Sequence, residues 1–392
     1  MLEQQTPSTV DISPQLSLST YQQEREQILA ELDEEREKGR ISFAESEHFI
    51  VVHAGRLNLG SWLDSDPIAL AHFLEQKLEL ASVKFGINVP SEKFQVVRVK
   101  NGRVDEGGVH TRGHKKIFQK SHIHALFNGI QQRKATRNPS GMPNFYSLAV
   151  HEAIGHGFLM DNIFPQWNIS DVTFPTLRSS TAEIDAYKQL QKKTRRIGFL
   201  TEGLSGNVEY EAEGLNPHDY FALELVTSVM TSFRGFRGGW KISDFKDPDF
   251  SSFASKKGFP ALFSVDQAFS LNGAEESTRF ISEMFNISAY NRGASFIEYM
   301  LDKFGKDAFR DWAKGVYQDN FISTLEAHTQ MSQHDFELSW MEAVLSRISF
   351  ENLLILKDRQ IPGSDSSILT YSNADLDRVK EIYRANAGIW LS

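Results

Sequence analysis

Apolar positions along this chain follow two periods, and the change from one to the other divides it. Residues 49–53 (FIVVH) form a short apolar run, the pattern of a buried strand. Residues 66–85 open with Asp66 as a helix cap and Pro67 in the first turn, then repeat apolar side chains at helical spacing. Residues 94–110 alternate and contain Asn101-Gly102, a strong hairpin signal. Before them, residues 1–19 are rich in Ser, Thr, Gln and Pro and read as a tail. Residues 20–40 are charge-dense with Ile28, Leu29 and Leu32 at helical spacing, as in a solvated amphipathic helix. From Phe145 onward the pattern is mainly helical, interrupted by a Pro-containing stretch at 164–175. The expected fold class is α+β. A tail and charged helix (1–45) precede a small mixed α/β region with a β-hairpin (46–140), and a large, mostly helical region (141–392) follows. The boundary is expected near residues 139–143.

Composition narrows the function. A length of 392 residues suits one large catalytic unit or two modest domains. The net charge of −9 argues against a general nucleic-acid binder, because phosphate contact needs a basic footprint. With no cysteine, disulfides, thiolate ligands and a thiol nucleophile are all excluded. The polar start lacks a basic-then-apolar leader, and no run approaches the ~18 apolar residues of a membrane span. A cytoplasmic protein that does not enter membranes is expected, with export by a route that uses no cleaved apolar signal left open.

The chemistry concentrates in SLAVHEAIGHGF (147–158). On a helix, Leu148, Val150, Ile154 and Phe158 can face a core while His151, Glu152 and His156 face a cleft. Imidazole nitrogens suit zinc, and a glutamate beside the first histidine can take a proton from a metal-bound water. The two histidines are five residues apart, which on a regular α-helix separates them by about 140°. Sharing one ion therefore requires an extra residue in the turn, as in a π-bulge, with Gly155 easing the deformation. The expectation is an i→i+5 bond near residues 153–155. The bland alternative is a regular helix with two unrelated histidines.

A third ligand is expected from GFLTEGLSGNVEYE (198–211). Glu202 sits among Phe199, Leu200 and Leu204, where a carboxylate is costly unless paired or bound to metal, and Gly203 permits close helix packing. The alternative places Glu202 exposed in a first turn capped by Thr201. Glu209 lies on the same face, as a fallback ligand or an acceptor for a ligating histidine.

HEAIGH followed by LTEGLS resembles the gluzincin peptidases, in which two helical histidines and a glutamate bind zinc. AYNRGASFIEYMLDKFG (289–305) is similar to their downstream pattern of Tyr, Gly, a small residue, an aromatic and a helix ending in Phe-Gly. The H-E-x-x-x-H spacing is like that of the microtubule-tyrosine carboxypeptidase family and its bacterial relatives named for a Gln-Glu-Gly-Leu-Ala motif, and more distantly dipeptidyl peptidase III. The resemblance covers residues 145–305 through three short motifs. Ser205 stands where the carboxypeptidase pattern ends in alanine, and the gap between the histidine pair and the Glu-Gly-Leu segment is longer. It implies a zincin-like fold, one Zn²⁺ per chain on His151, His156 and Glu202, Glu152 as general base, and Tyr290 as donor to the developing oxyanion, a core tyrosine being the alternative at that position.

Other signals are weaker. Residues 110–137 hold seven Lys/Arg, four histidines and no acidic residue, either a basic wall for a substrate carboxylate or a solvated face. His122 and His124 read as structural. Arg234 and Arg237, in a Gly-rich stretch, suit a carboxylate clamp or a surface turn equally well. The leading expectation is a zinc metallopeptidase, by resemblance a carboxypeptidase, acting on a peptide or protein with an acidic or free C-terminal segment. Two rivals stand beside it: a zinc amide or ester hydrolase with a non-peptide substrate, and an inactive binding module of the same fold.

Overall fold

The computed structural model describes residues 30, 33–34, 36–39, 41–54, 66–89, 94–99, 144–165, 198–234, 263, 289–316, 320–357 and 372–391. Strands β1 (Ile41–Glu45) and β2 (Phe49–Ala54) form an antiparallel hairpin, with Ile41 opposite Ala54 and Glu45 opposite Ile50. Helix α1 (Pro67–Phe85) then carries the chain to β3 (Phe94–Val99), which lies parallel to β2 with Phe49 opposite Phe94. The parallel pairing follows from the connection, because a crossover that includes a helix brings the next strand in alongside.

Local chemistry accounts for these elements. The Asp66 carboxylate accepts from the Ile68 amide at 2.9 Å, and Pro67 occupies the first turn where no amide is needed. Gly86 closes α1 in the left-handed conformation at φ 64°. Leu70, Leu74, Leu78 and Phe85 line one face of α1 and pack with Phe49, Val51 and Val96 in a continuous core. The hairpin turn is tied to α1 by His48, whose amide and Nδ1 both bond the Glu75 carboxylate, at 2.6 and 2.8 Å.

The hairpin expected around Asn101-Gly102 has its turn outside the described residues; the hairpin observed is β1–β2. Of the charged helix expected over 20–40, residues 30, 33–34 and 36–37 are helical and most of the rest lies outside the described residues. The tail at 1–19, the break at 139–143 and most of the 164–175 interruption lie outside them too.

The remainder is helical, so the fold class is α+β, a small sheet followed by a large helical region. Helix α2 (Asn144–Ala149) runs directly into a π-helix (Val150–Leu159) and then α3 (Met160–Ile163). Next come α4 (Gly198–Ala212), α5 (Pro217–Arg234) and α6 (Ala289–Gly315). Gly305 interrupts α6 at φ 82°, a left-handed backbone that favours glycine, so the expected Phe-Gly helix end is present as a kink. Helices α7 (Phe321–Thr329), α8 (Gln333–Ser346), α9 (Phe350–Lys357), α10 (Asn373–Ala385) and α11 (Ala387–Trp390) complete the described chain. Phe296 on α6 centres an aromatic core, 5.6 Å from the rings of Phe336 and Trp340 and 5.7 Å from Trp312.

Candidate metal centre

His151 and His156 both lie in the π-helix. The amide of Met160 bonds the carbonyl of Gly155, five residues back. With that bonding, residues five apart stand above one another instead of on different faces. The two imidazole centroids are 4.9 Å apart. The irregularity spans ten residues, longer than the one-residue bulge the spacing requires. Every residue of it except His156 is buried, so packing from all sides holds a bonding pattern that an exposed helix would abandon.

Small residues set how closely the neighbouring helices approach. A Cβ on Gly155 would fall 2.4 Å from Ser205 Cα, so the π-helix and α4 meet nearly backbone to backbone. Two residues earlier, on another side of α4, a Cβ on Gly203 would fall 2.4 Å from the carbonyl carbon of Gly293, and a Cβ on Gly293 would fall 2.1 Å from the Phe199 oxygen. Gly155 therefore serves close approach as well as local deformation. Glu202 precedes this contact on α4 and is carried to the histidines by it.

The Glu202 carboxylate oxygen lies 3.4 Å from Nε2 of His151 and 3.3 Å from Nε2 of His156. Ligand atoms about 2.0–2.1 Å from a tetrahedral zinc stand roughly 3.3–3.4 Å from each other, so both spacings fit one ion. The three residues offer donor atoms all within 4.8 Å of one another, the single such group found among the described residues. Glu209 takes the other side of His151, with its Oε2 2.9 Å from Nδ1. It orients the ring so that Nε2 faces Glu202, the carboxylate–histidine arrangement that fixes a ligand's tautomer. Of the two glutamates considered, Glu202 faces both imidazoles and Glu209 supports one of them. Thr201 is inside α4, not at its cap.

The electrostatics agree with this geometry. Burial would raise the Glu202 carboxyl, but His156 and His151 outweigh it and hold the group far below its usual range. Burial would lower His151, yet its bonds to Glu202 and Glu209 keep the ring well above the ordinary histidine value. Glu152 is buried, and that desolvation raises its pKa against the opposing pull of His151 and His156. Tyr290, on the first turn of α6, stacks its ring 5.9 Å from that of His151. Desolvation and the Glu202 and Glu152 carboxylates push its phenol upward, so it stays protonated and able to donate.

His151, Glu152, His156, Glu202, Glu209 and Tyr290 thus converge on one place. Residues 110–137, with His122 and His124, and Arg237 lie outside the described residues; Arg234 ends α5. Sequence reading passed over the contacts of Ser205 with Gly155 and of Gly293 with Gly203, and the polar pair Asn291 and Glu224. The glycines carried a signal, since Gly155, Gly203 and Gly293 each adjoin or nearly adjoin a chemical residue. The arrangement is a candidate His–His–Glu metal site of zincin type. No family model, curated protein or solved structure matches the chain.

Proposed function

We propose that this chain is a zinc-dependent hydrolase, and specifically a metallopeptidase. The observation that carries the reading is the Glu202 carboxylate placed 3.4 and 3.3 Å from the two imidazole nitrogens. His151, His156 and Glu202 would hold the metal, leaving a fourth position open. When bound there, zinc lowers the pKa of a coordinated water and polarises a substrate carbonyl. Glu152, buried and raised in pKa, would accept a proton from an attacking water and return it to the leaving amine. Tyr290 would donate to the oxyanion, and Glu209 would keep His151 aligned.

The likeness of HEAIGH and LTEGLS to the microtubule-tyrosine carboxypeptidase family and its Gln-Glu-Gly-Leu-Ala relatives supports a peptide with a free C-terminus as substrate. Elemental analysis of purified, unchelated protein should return one zinc per chain. Incubation of that protein with a peptide library, read by mass spectrometry, should give cleavage that stops with a chelator. A protein free of transition metal, or zinc-loaded but inert toward the library, overturns the peptidase reading.

A further inference from the structure

Tyr290 sits one residue into α6, a position where helices fray unless tertiary contacts hold them. Its neighbour Asn291 supplies such contacts. The Asn291 side-chain oxygen accepts from the hydroxyl of Tyr210 on α4, and its amide nitrogen donates to the Glu224 carboxylate on α5. Both halves of one side-chain amide are therefore used, each toward a different helix. Tyr210 is itself braced by the Tyr220 ring, centroid 4.0 Å away, whose hydroxyl donates to Glu213 at 3.0 Å.

The next two positions extend the attachment. Arg292 is buried with its guanidinium 5.5 Å from the Phe199 ring, and Gly293 lies against Phe199 and Gly203. Tyr210 also follows Glu209 directly on α4. One stretch of that helix thus holds His151 with one residue and the start of α6 with the next.

We propose that Asn291 is a positioning residue that keeps the Tyr290 phenol over the metal cluster by bridging Tyr210 and Glu224. It acts through the turn that carries Tyr290. The catalytic part of the proposal rests on the reading of Tyr290 as an oxyanion donor. The mechanical part does not.

The mechanical part is tested by amide hydrogen exchange on the full zinc-loaded chain. The first α6 amides with partners inside the helix belong to residues 293–297. In Asn291→Ala these should exchange at least ten-fold faster, with zinc stoichiometry and exchange in the π-helix unchanged. Tyr210→Phe keeps the ring stack and removes half of the bridge, so it should show the same change to a smaller degree if Asn291→Ala fails to fold. Unaltered exchange at 293–297 in these variants overturns the proposal.

The catalytic part is read as kcat on a peptide taken from the library screen. Asn291→Ala should lower kcat more than it changes KM, and should have no further effect in a Tyr290→Phe background. Additive losses would overturn the route through Tyr290. Wild-type kcat in Tyr290→Phe would instead dismiss the oxyanion role of Tyr290, leaving the exchange result to judge Asn291.

Discussion

Glu209 bonds Nδ1 of His151 at 2.9 Å, on the side of the ring opposite the nitrogen that faces Glu202. A histidine held from both sides cannot turn, and its Nε2 already points at the place where Glu202 and His156 meet. Glu209→Ala should lower zinc affinity about 10–100-fold without abolishing binding. Competition with a chromophoric chelator measures this. Complete loss of zinc would make Glu209 a ligand, and unchanged affinity would make it irrelevant to the site.

Glu152→Gln should leave one zinc per chain while removing hydrolysis, because the amide keeps the shape of the side chain but cannot accept the proton. Parallel metal analysis and peptide cleavage separate the two effects. Loss of zinc in this variant would move Glu152 into the ligand set.

The Ser205 hydroxyl is buried under the Gly155 backbone with no hydrogen-bond partner among the described residues. Ser205→Ala should be neutral or stabilising by about 1 kcal/mol, since an unmet polar group is removed. Gly155→Ala should destabilise by about 2 kcal/mol or more, because the added carbon meets backbone that cannot step aside. Urea unfolding of both variants checks the pair. A tolerated Gly155→Ala would mean that the two helices do not meet as closely as described.

His218 is buried at the start of α5 with Nδ1 2.8 Å from the Ser295 hydroxyl, which also accepts from Trp340 Nε1 at 3.0 Å. Burial, with Arg347 and Lys84 nearby and against the pull of Glu298, lowers its pKa from 6.5 to about 4. Below pH 6.5 the unfolded chain takes up a proton that the folded chain refuses. Stability present above that value should therefore fall as the pH drops toward 4, by about 3 kcal/mol in all. His218→Gln should flatten this dependence while costing stability at neutral pH. An equally steep profile in the variant would assign the acid sensitivity to other groups.

The elements that announced themselves did so through local chemistry. Asp66 and Pro67 marked the start of α1, and the unbroken apolar run marked β2. The five-residue gap between His151 and His156 implied i→i+5 bonding, because no regular helix lets them meet. Its extent was not legible, since it depends on packing supplied by distant segments. For the same reason the sequence left Glu202 and Glu209 open. Both lie on one face of α4, and only the approach of Ser205 to Gly155 decides which reaches both rings. Strand β1 was missed because ISFAE is only five residues long and its pairing depends on β2. Asn291 had no motif to betray it, as its partners come from two other helices.

The Gly203–Gly293 contact also bears on the order in which the protein is made. His151, His156 and Glu202 leave the ribosome well before Gly293, so a nascent chain stalled between them carries every cluster donor but lacks the helix against which α4 is wedged. Ion capture by such a chain would rest on α4 held from one side only. Completion of the site therefore waits on the second half of translation, and a product ending before Ala289 keeps the whole HEAIGH and LTEGLS signature and the Gly155–Ser205 contact but lacks the Gly203–Gly293 one.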